Sequence, residues 1–206
     1  MTDVDSRRFF DAVRRDPFPG RLTRGQVEGI GAIGAAWRRL AAGEDPRGLA
    51  YCLATAFHET AGTMRPVRET LAGSDAEAVA RLDRAFAAGR LPQVKRPYWR
   101  PDADGRTWYG RGLVQITHRE NYERLSRATG VDIVSEPDRA MELDVAAAVM
   151  VLGMARGLFS GRRLGEFFCD GTEDWKGARR IVNGMDRAEL VAGYGRAFWR
   201  GMGSAG

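Results

Sequence analysis

The chain has 206 residues, 44% of them hydrophobic and 29% charged, enough for one well-formed core and unlike a disordered or fibrous chain. Lys and Arg exceed Asp and Glu by 32 − 27 = 5, and apart from Lys95 and Lys176 every Lys or Arg position is arginine. Such a surplus suits any polyanion, whether nucleic acid, an anionic lipid surface or an acidic wall polymer, and does not choose among them.

Apolar residues recur at helical spacing along most of the chain, with no sustained strand alternation and no internal repeat, so the expected fold is mainly α, as a single domain over residues 1–206. The first helix is expected over residues 5–15, with Phe9, Phe10 and Val13 on one side, stopping before Asp16-Pro17-Phe18-Pro19-Gly20. Charges are interspersed through M-T-D-V-D-S-R-R where a secretory segment needs an unbroken apolar stretch, so no signal peptide is read there and cytoplasmic synthesis is expected. Thr23 caps a second helix that buries Val27, Ile30, Ile33 and Trp37 and ends near Gly43. Residues 1–45 thus form an N-terminal helical segment packed on the rest. A third helix, residues 47–63, carries Leu49, Leu53 and Phe57 as its core stripe, and a fourth, 75–88, is amphipathic through Val79, Leu82 and Phe86.

Residues 91–112, rich in Pro, Gly, Trp and Tyr, read as an ordered loop or short hairpin. Helices resume at 119–129 and at 143–156, the latter apolar all round and therefore central. Its apolar run, 145–155, is about half of the roughly 20 residues that a membrane-spanning helix needs. Two further helices are expected at 175–182 and 187–199, followed by a frayed tail over 201–206. Cys52 and Cys169 read as buried, reduced thiols.

His58-Glu59 opens like the zinc-protease pattern H-E-x-x-H, but the second histidine position is Gly62 and the chain holds only one other histidine, His118. Asp102-Ala103-Asp104-Gly105 starts like a calcium loop, lacks the later ligands and reads as a turn. No metal is expected. A carboxylate site fits better. Cys52, Thr55 and Ala56 share a helical face with Glu59 and are small, so partial desolvation there gives the tuning of a general acid; the alternative is a solvated helix-end residue. Ten residues on, after Pro66 ends the helix, an extended segment brings Glu69 back towards Glu59, with Arg65 and Arg68 expected near enough to keep it ionised. One neutral and one charged carboxyl are the minimum for hydrolysing a glycosidic bond. Gly110 and Gly112 flank Arg111 and allow close backbone approach, while Gln115 and Thr117 alternate onto one side of an extended segment, suited to sugar hydroxyls or a held water.

Taken in order, A-F-H-E-T at 56–60, Glu69, Y-G-R-G-L-V-Q-I-T at 109–117, Asn121-Tyr122 and I-V-N-G at 181–184 resemble the signature of family 19 glycoside hydrolases, the chitinases and related bacteriophage endolysins, over residues 47–199. F-F-D-A-V-R, L-T-R-G-Q-V-E-G-I and the insert P-Y-W-R-P-D-A-D-G-R-T-W resemble the endolysin branch. The resemblance implies a lysozyme-like helical domain with a substrate cleft and a small loop or hairpin insert. It also implies Glu59 as general acid, Glu69 as general base, inversion of configuration, and carboxyls roughly 6.5–9.5 Å apart to admit a water. Thr117 takes the position of a water-holding hydroxyl, and Gln115, Asn121 and Asn183 match residues that bind sugar N-acetyl and hydroxyl groups. Tyr109 and Arg111 are expected at the cleft floor, or Arg111 pairs with a carboxylate and pins the loop. The family's basic residue near the acid falls at Arg187 or Leu190, which leaves that role open. His58 is expected to hydrogen-bond a loop, and Trp99 and Trp108 to stack on sugars or pack the insert.

The function implied is an endolysin-type peptidoglycan hydrolase that cleaves β-1,4 bonds for host lysis, without a cofactor. A chitinase is the same-class alternative. A non-catalytic basic wall- or nucleic-acid-binding protein is the different-class one, although the paired arginines lie among acids and in no nucleic-acid motif. The expected partners are the wall polymer, peptidoglycan or chitin, and a holin or other export route. No nucleic-acid partner is expected. A monomer is expected, held in the cytoplasm until released and acting in the periplasm.

Overall fold

The computed structural model describes residues 7–203. Its helices are α1 (Arg7–Val13), α2 (Arg24–Leu40), α3 (Arg47–Glu59), α4 (Asp75–Ala87), α5 (Arg119–Thr129), α6 (Leu143–Arg156) and α7 (Ala188–Gly203). Asp5 and Ser6 of the expected first helix lie outside the described residues. Two miniature antiparallel pairs complete the regular structure: β1 (Val67–Arg68) with β2 (Arg111–Gly112), and β3 (Phe168–Cys169) with β4 (Thr172–Glu173).

Residues 145–155 of α6 are all buried, as its all-round apolar sequence requires. α2 packs on it from one side and α5 from another, while α3 pairs with α7. A capping box starts α2: the Thr23 hydroxyl accepts from the Gln26 amide at 3.2 Å and the Gln26 side chain accepts from the Thr23 amide at 2.7 Å. The buried face of α2 is Gly29, Ile30, Ile33, Ala36 and Trp37; Val27, expected among them, is 37% exposed. At Gly29 a Cβ would sit 2.0 Å from the Met64 carbonyl oxygen, so only glycine lets the turn after α3 press onto α2.

Two smaller apolar clusters carry the rest. Trp108, Ile116, Tyr122 and Leu125 pack beneath α5 against Val145 and Val149 of α6. Trp99 and Tyr109 pack with Ala78 and Leu82 beneath the insert. Both insert tryptophans therefore pack, with Trp99 Nε1 donating to Asp83 and Trp108 Nε1 to Asp102, each at 2.9 Å. Asp102 also accepts from the Asp104 and Arg106 amides, closing the expected turn at Gly105.

Several expectations are corrected. α3 ends at Glu59, where the chain turns sharply, not at residue 63. The helix expected at 175–182 is a 3-10 turn, Gly177–Ile181. α7 continues to Gly203 with Gly201 and Met202 buried, so the expected fraying does not begin at 201; residues 204–206 lie outside the described residues. Cys169 is exposed on β3, and only Cys52 is buried; both are free thiols. Among the described residues, no helix is long and apolar enough to cross a membrane.

Candidate active site

Glu59 closes α3 and Glu69 opens a 3-10 turn, Glu69–Leu71, directly after β1. The nine-residue bridge between them is locked. Buried Thr60 donates its hydroxyl to the Ala56 carbonyl at 2.7 Å and accepts from the Met64 amide at 2.9 Å, while Gln26 of α2 donates to the Gly62 carbonyl at 2.9 Å. Ala61, Met64, Thr70 and Leu71 all take left-handed backbone angles (φ 50° to 62°). For non-glycine residues such angles cost about 1–3 kcal/mol each and persist where the surroundings over-determine them.

The two carboxylates have contrasting seats. Glu59 Oε1 accepts from Arg179 Nη1 at 2.7 Å, and Arg179 is 2% exposed. Arg179 comes from the 3-10 turn before α7 and is fixed by donating Nε to the Asp186 carbonyl at 3.1 Å. Cys52, Thr55 and Ala56 are buried as expected, but the near partner of Glu59 is a guanidinium rather than an apolar wall. The basic residue beside Glu59 is thus Arg179, not Arg187 or Leu190, both of which are exposed. Its signal lay in the sequence immediately before I-V-N-G, where two arginines precede Ile181.

Glu69 sits on neutral donors. Oε1 accepts from the Tyr98 hydroxyl at 2.8 Å, Oε2 from the Gly110 amide at 2.7 Å, and the Glu69 amide donates to the Gly110 carbonyl at 2.6 Å. Burial, and then the charge of Glu69, push the Tyr98 phenol well above its ordinary value, so it remains a donor at neutral pH. The expected arginines are engaged elsewhere: Arg65 pairs with Glu28 at 3.0 Å, and Arg68 with Asp75 at 2.9 Å and Asp138 at 3.2 Å.

Gln115 lies under this seat. Its Nε2 donates to the Val67 carbonyl at 3.1 Å, and its Oε1 is so close to Gly110 that a Cβ there would approach it to 2.4 Å. Thr117, half-buried, is followed by His118, whose ring lies 4.5 Å from that of Tyr98 at a tilt of 50°, which brings this stretch of chain to the Glu69 side of the site. Asn121 donates Nδ2 to the Thr117 carbonyl at 2.8 Å and accepts from Arg124; its amide supports Thr117 from within α5 rather than standing free for a sugar. Asn183 is exposed, with its amide donating to the Arg179 carbonyl at 3.0 Å, and so stands on the Glu59 side.

Tyr109 and Arg111 do not reach a substrate. Both are buried, at 0% and 1% exposed, and the Arg111 guanidinium lies 3.8 Å over the Tyr109 ring. Arg111 donates to Asp75 at 2.7 Å, Asp138 at 2.9 Å, the Thr107 carbonyl at 2.9 Å and the Tyr122 hydroxyl at 3.2 Å, while Tyr109 donates to Asp75. Of the two roles open for Arg111, pinning the loop is the one it fills. Burial alone would push the Asp75 carboxyl up; hydrogen bonds from Tyr109 and Arg68 and the charge of Arg111 outweigh it and hold Asp75 below the ordinary carboxylate range. His58 faces Glu59 and Arg179, and burial holds it below its ordinary value. Among the described residues, no group of three or more His, Cys, Asp or Glu side chains is placed to hold a metal ion.

A family model described as glycoside hydrolase 19, class I chitinase, matches residues 40–153, more than half of the chain. The chain belongs to glycoside hydrolase family 19. The family 19 match runs from the end of α2 into α6 and takes in Glu59, Glu69, Gln115, Thr117 and Asn121, with Arg179 and Asn183 beyond it. Endochitinase 4 of Solanum tuberosum is 50% identical over 38 residues, which are 18% of this chain and 13% of that protein. Basic endochitinase of Vitis vinifera is likewise 50% identical over 38 residues, 12% of its length. The matched stretch is thus about an eighth of these relatives. Chitinase C from Streptomyces griseus HUT6037 is similar in structure over 97% of this family 19 chain and 93% of its own, with a TM-score of 0.57 at 18% identity, which supports the helical fold.

Proposed function

We propose that the protein is an endolysin-type peptidoglycan hydrolase that cuts β-1,4 glycosidic bonds by an inverting two-carboxylate mechanism. The observation that carries this reading is the contrast between the seats of Glu59, on a buried guanidinium, and Glu69, on two neutral donors, across a locked turn. In the proposed reaction Glu59 passes a proton to the leaving glycosidic oxygen. The carboxylate left behind faces Arg179, a cation in place before that charge develops. Glu69, oriented by Tyr98 and Gly110, takes a proton from a water held by the Thr117 hydroxyl. That water attacks the anomeric carbon on the face opposite the leaving group, so the configuration inverts. Proton exchange with solvent then returns a proton to Glu59 and removes the one on Glu69. Gln115 and Asn183 border the two ends of this arrangement as sugar-binding amides.

The preference for wall over chitin rests on the resemblance of the opening segments and the insert to endolysins. A second reading, hydrolysis of N-acetylglucosamine polymers, is favoured by the chitinase description of the family model and by the named relatives. Clearing of permeabilised Gram-negative cells, run beside cleavage of chitin oligomers, decides between them. Parent protein clears cells and Glu59→Gln does not; chitin cleavage without clearing favours the second reading, and a variant as lytic as the parent removes Glu59 from the mechanism. The proposal extends to delivery: the enzyme waits in the cytoplasm and reaches the wall through a pore-forming partner of the holin kind. Cytoplasmic expression alone is then tolerated and co-expression of a holin causes lysis, whereas rapid lysis without one rejects that part.

A further inference from the structure

Beside Glu69 lies an open hollow of about 660 Å³ lined by Gln93, Val94, Lys95, Arg96, Tyr98 and His118. Tyr98 is the wall it shares with the site, since the same phenol donates to Glu69. The hollow has one sign of charge: two exposed cations and no carboxylate line it. Neighbouring arginines are engaged, Arg100 with Asp83, Arg106 with Asp104 and Arg119 with Glu123. Lys95 and Arg96 make no ion pair or hydrogen bond with any described residue. The larger cavity of about 800 Å³ between α4 and the 3-10 turn Pro137–Met141 is the opposite case, with Asp75, Asp83, Glu136 and Asp138 against Arg106 and Arg111.

Free cations beside Glu69 gain from a carboxylate-bearing glycan the stronger charge-assisted hydrogen bonds that a neutral polymer of N-acetylglucosamine does not offer. Peptidoglycan differs from that polymer in carrying a lactyl-linked peptide, with its carboxylates, on alternate sugars. We propose that Lys95 and Arg96 form a subsite for those carboxylates, placing a peptide-bearing sugar against Tyr98 and Glu69 and so setting the enzyme's preference for wall glycan. The inference rests on the peptidoglycan reading and names the residues that would make the distinction. Exposed ion pairs are individually weak and screened by salt, so the subsite acts as a modest, salt-sensitive discriminator rather than as the main source of affinity.

N-acetylmuramoyl dipeptide and N-acetylglucosamine, neither of which has a glycosidic bond to cut, are titrated into the parent and into Lys95→Ala/Arg96→Ala by NMR. The parent is expected to bind the muramoyl dipeptide more tightly, by a margin that shrinks between 50 and 500 mM salt, and the double variant to lose about three- to tenfold for that ligand alone. Lys95→Glu/Arg96→Glu is expected to lose more. Equal affinity for the two ligands in the parent, or equal losses for both in the variants, overturns the subsite. The test separates from that of the function: sacculi digested normally by a double variant with unchanged binding remove the subsite and keep the reading, whereas the expected binding in a parent that leaves sacculi intact keeps the subsite and removes the reading.

Discussion

Arg179 and Glu59 are 120 residues apart in the chain and 2.7 Å apart in space. The pair ties the C-terminal 3-10 turn to the end of α3, and it places a buried cation on one of the two carboxylates proposed to do the chemistry. Truncating Arg179 leaves that carboxylate without its partner. Arg179→Ala is expected to lower kcat on any cleaved glycan by about 10²-fold or more, the scale for losing one preorganised group that meets developing charge. It is also expected to cost about 1.5–3 kcal/mol of stability. Paired kinetic and thermal measurements check this, and full activity in a folded Arg179→Ala would remove the residue from the mechanism.

Tyr98→Phe deletes one of the two donors on Glu69 and leaves the ring packed against Trp99 and His118. A hydrogen bond to a charged group is worth about 1.5–3 kcal/mol, so Tm is expected to fall by several degrees, and kcat by about ten- to a hundredfold as the base loses its orientation. Unchanged kcat would show that the Gly110 amide alone orients the base.

Gly110→Ala introduces a methyl that would meet Gln115 Oε1 at 2.4 Å and its Cβ at 3.1 Å. Either Gln115 swings away or the peptide holding Glu69 shifts, and both routes cost activity. A loss of about 1–3 kcal/mol in stability is expected from the overpacking, and the double variant Gly110→Ala/Gln115→Ala is expected to recover stability but not activity. Recovery of both would mean that Gln115 has no part beyond packing.

Arg111 is a structural prediction. All three of its nitrogens donate, to partners in α4, α5, the insert and the 3-10 turn at Pro137. Arg111→Ala leaves Asp75 and Asp138 to the Arg68 guanidinium, and losing the five hydrogen bonds that Arg111 donates, at about 1 kcal/mol each, is expected to cost about 3–5 kcal/mol. At about 2–4 °C per kcal/mol for a chain of this size, the Tm falls by roughly 6–20 °C. Arg111→Lys is expected to rescue less than half of it, because an ammonium cannot reproduce the planar fork. A lysine variant with the parent's Tm contradicts the assignment.

Burial holds His58 below its ordinary value of 6.5, so the unfolded chain binds its proton more readily than the folded one. The stability this contributes is present above about pH 6.5 and is lost as pH falls towards the folded value. Comparing Tm for the parent and His58→Gln between pH 7.5 and pH 5 checks the sign: the parent's relative advantage should shrink on acidification, and an advantage that grows would reverse the argument.

How far the sequence alone carried the fold depends on the kind of signal. α5 and α6 begin and end where their periodicity, flanking glycines and apolar content place them. The 3-10 turn Gly177–Ile181 and the β3–β4 pair were not legible, because a turn of five residues and strands of two are shorter than the periods that identify them. Val27 was misplaced because a helical stripe fixes a face only to within one residue, and the Met64 turn covers the neighbouring Gly29 instead. At the site, Glu59 and Glu69 stood out by motif order, but their partners did not. Arg179 and Tyr98 reach them from 120 and 29 residues away; the place of Arg179 just before I-V-N-G is a signal for one of them, and no local spacing marks Tyr98. Arg65 and Arg68 were the near choices in sequence, and acids elsewhere claim both.

Digestion of purified sacculi, followed by NMR at early times, reads out whether Glu59 and Glu69 together cut a wall glycosidic bond with inversion. New reducing sugars are expected to appear first as the α anomer with the parent protein, and not at all with Glu59→Gln or Glu69→Gln. Release of peptides without a new reducing end, a β anomer as first product, or digestion by either variant at the parent's rate would contradict inverting cleavage by this pair.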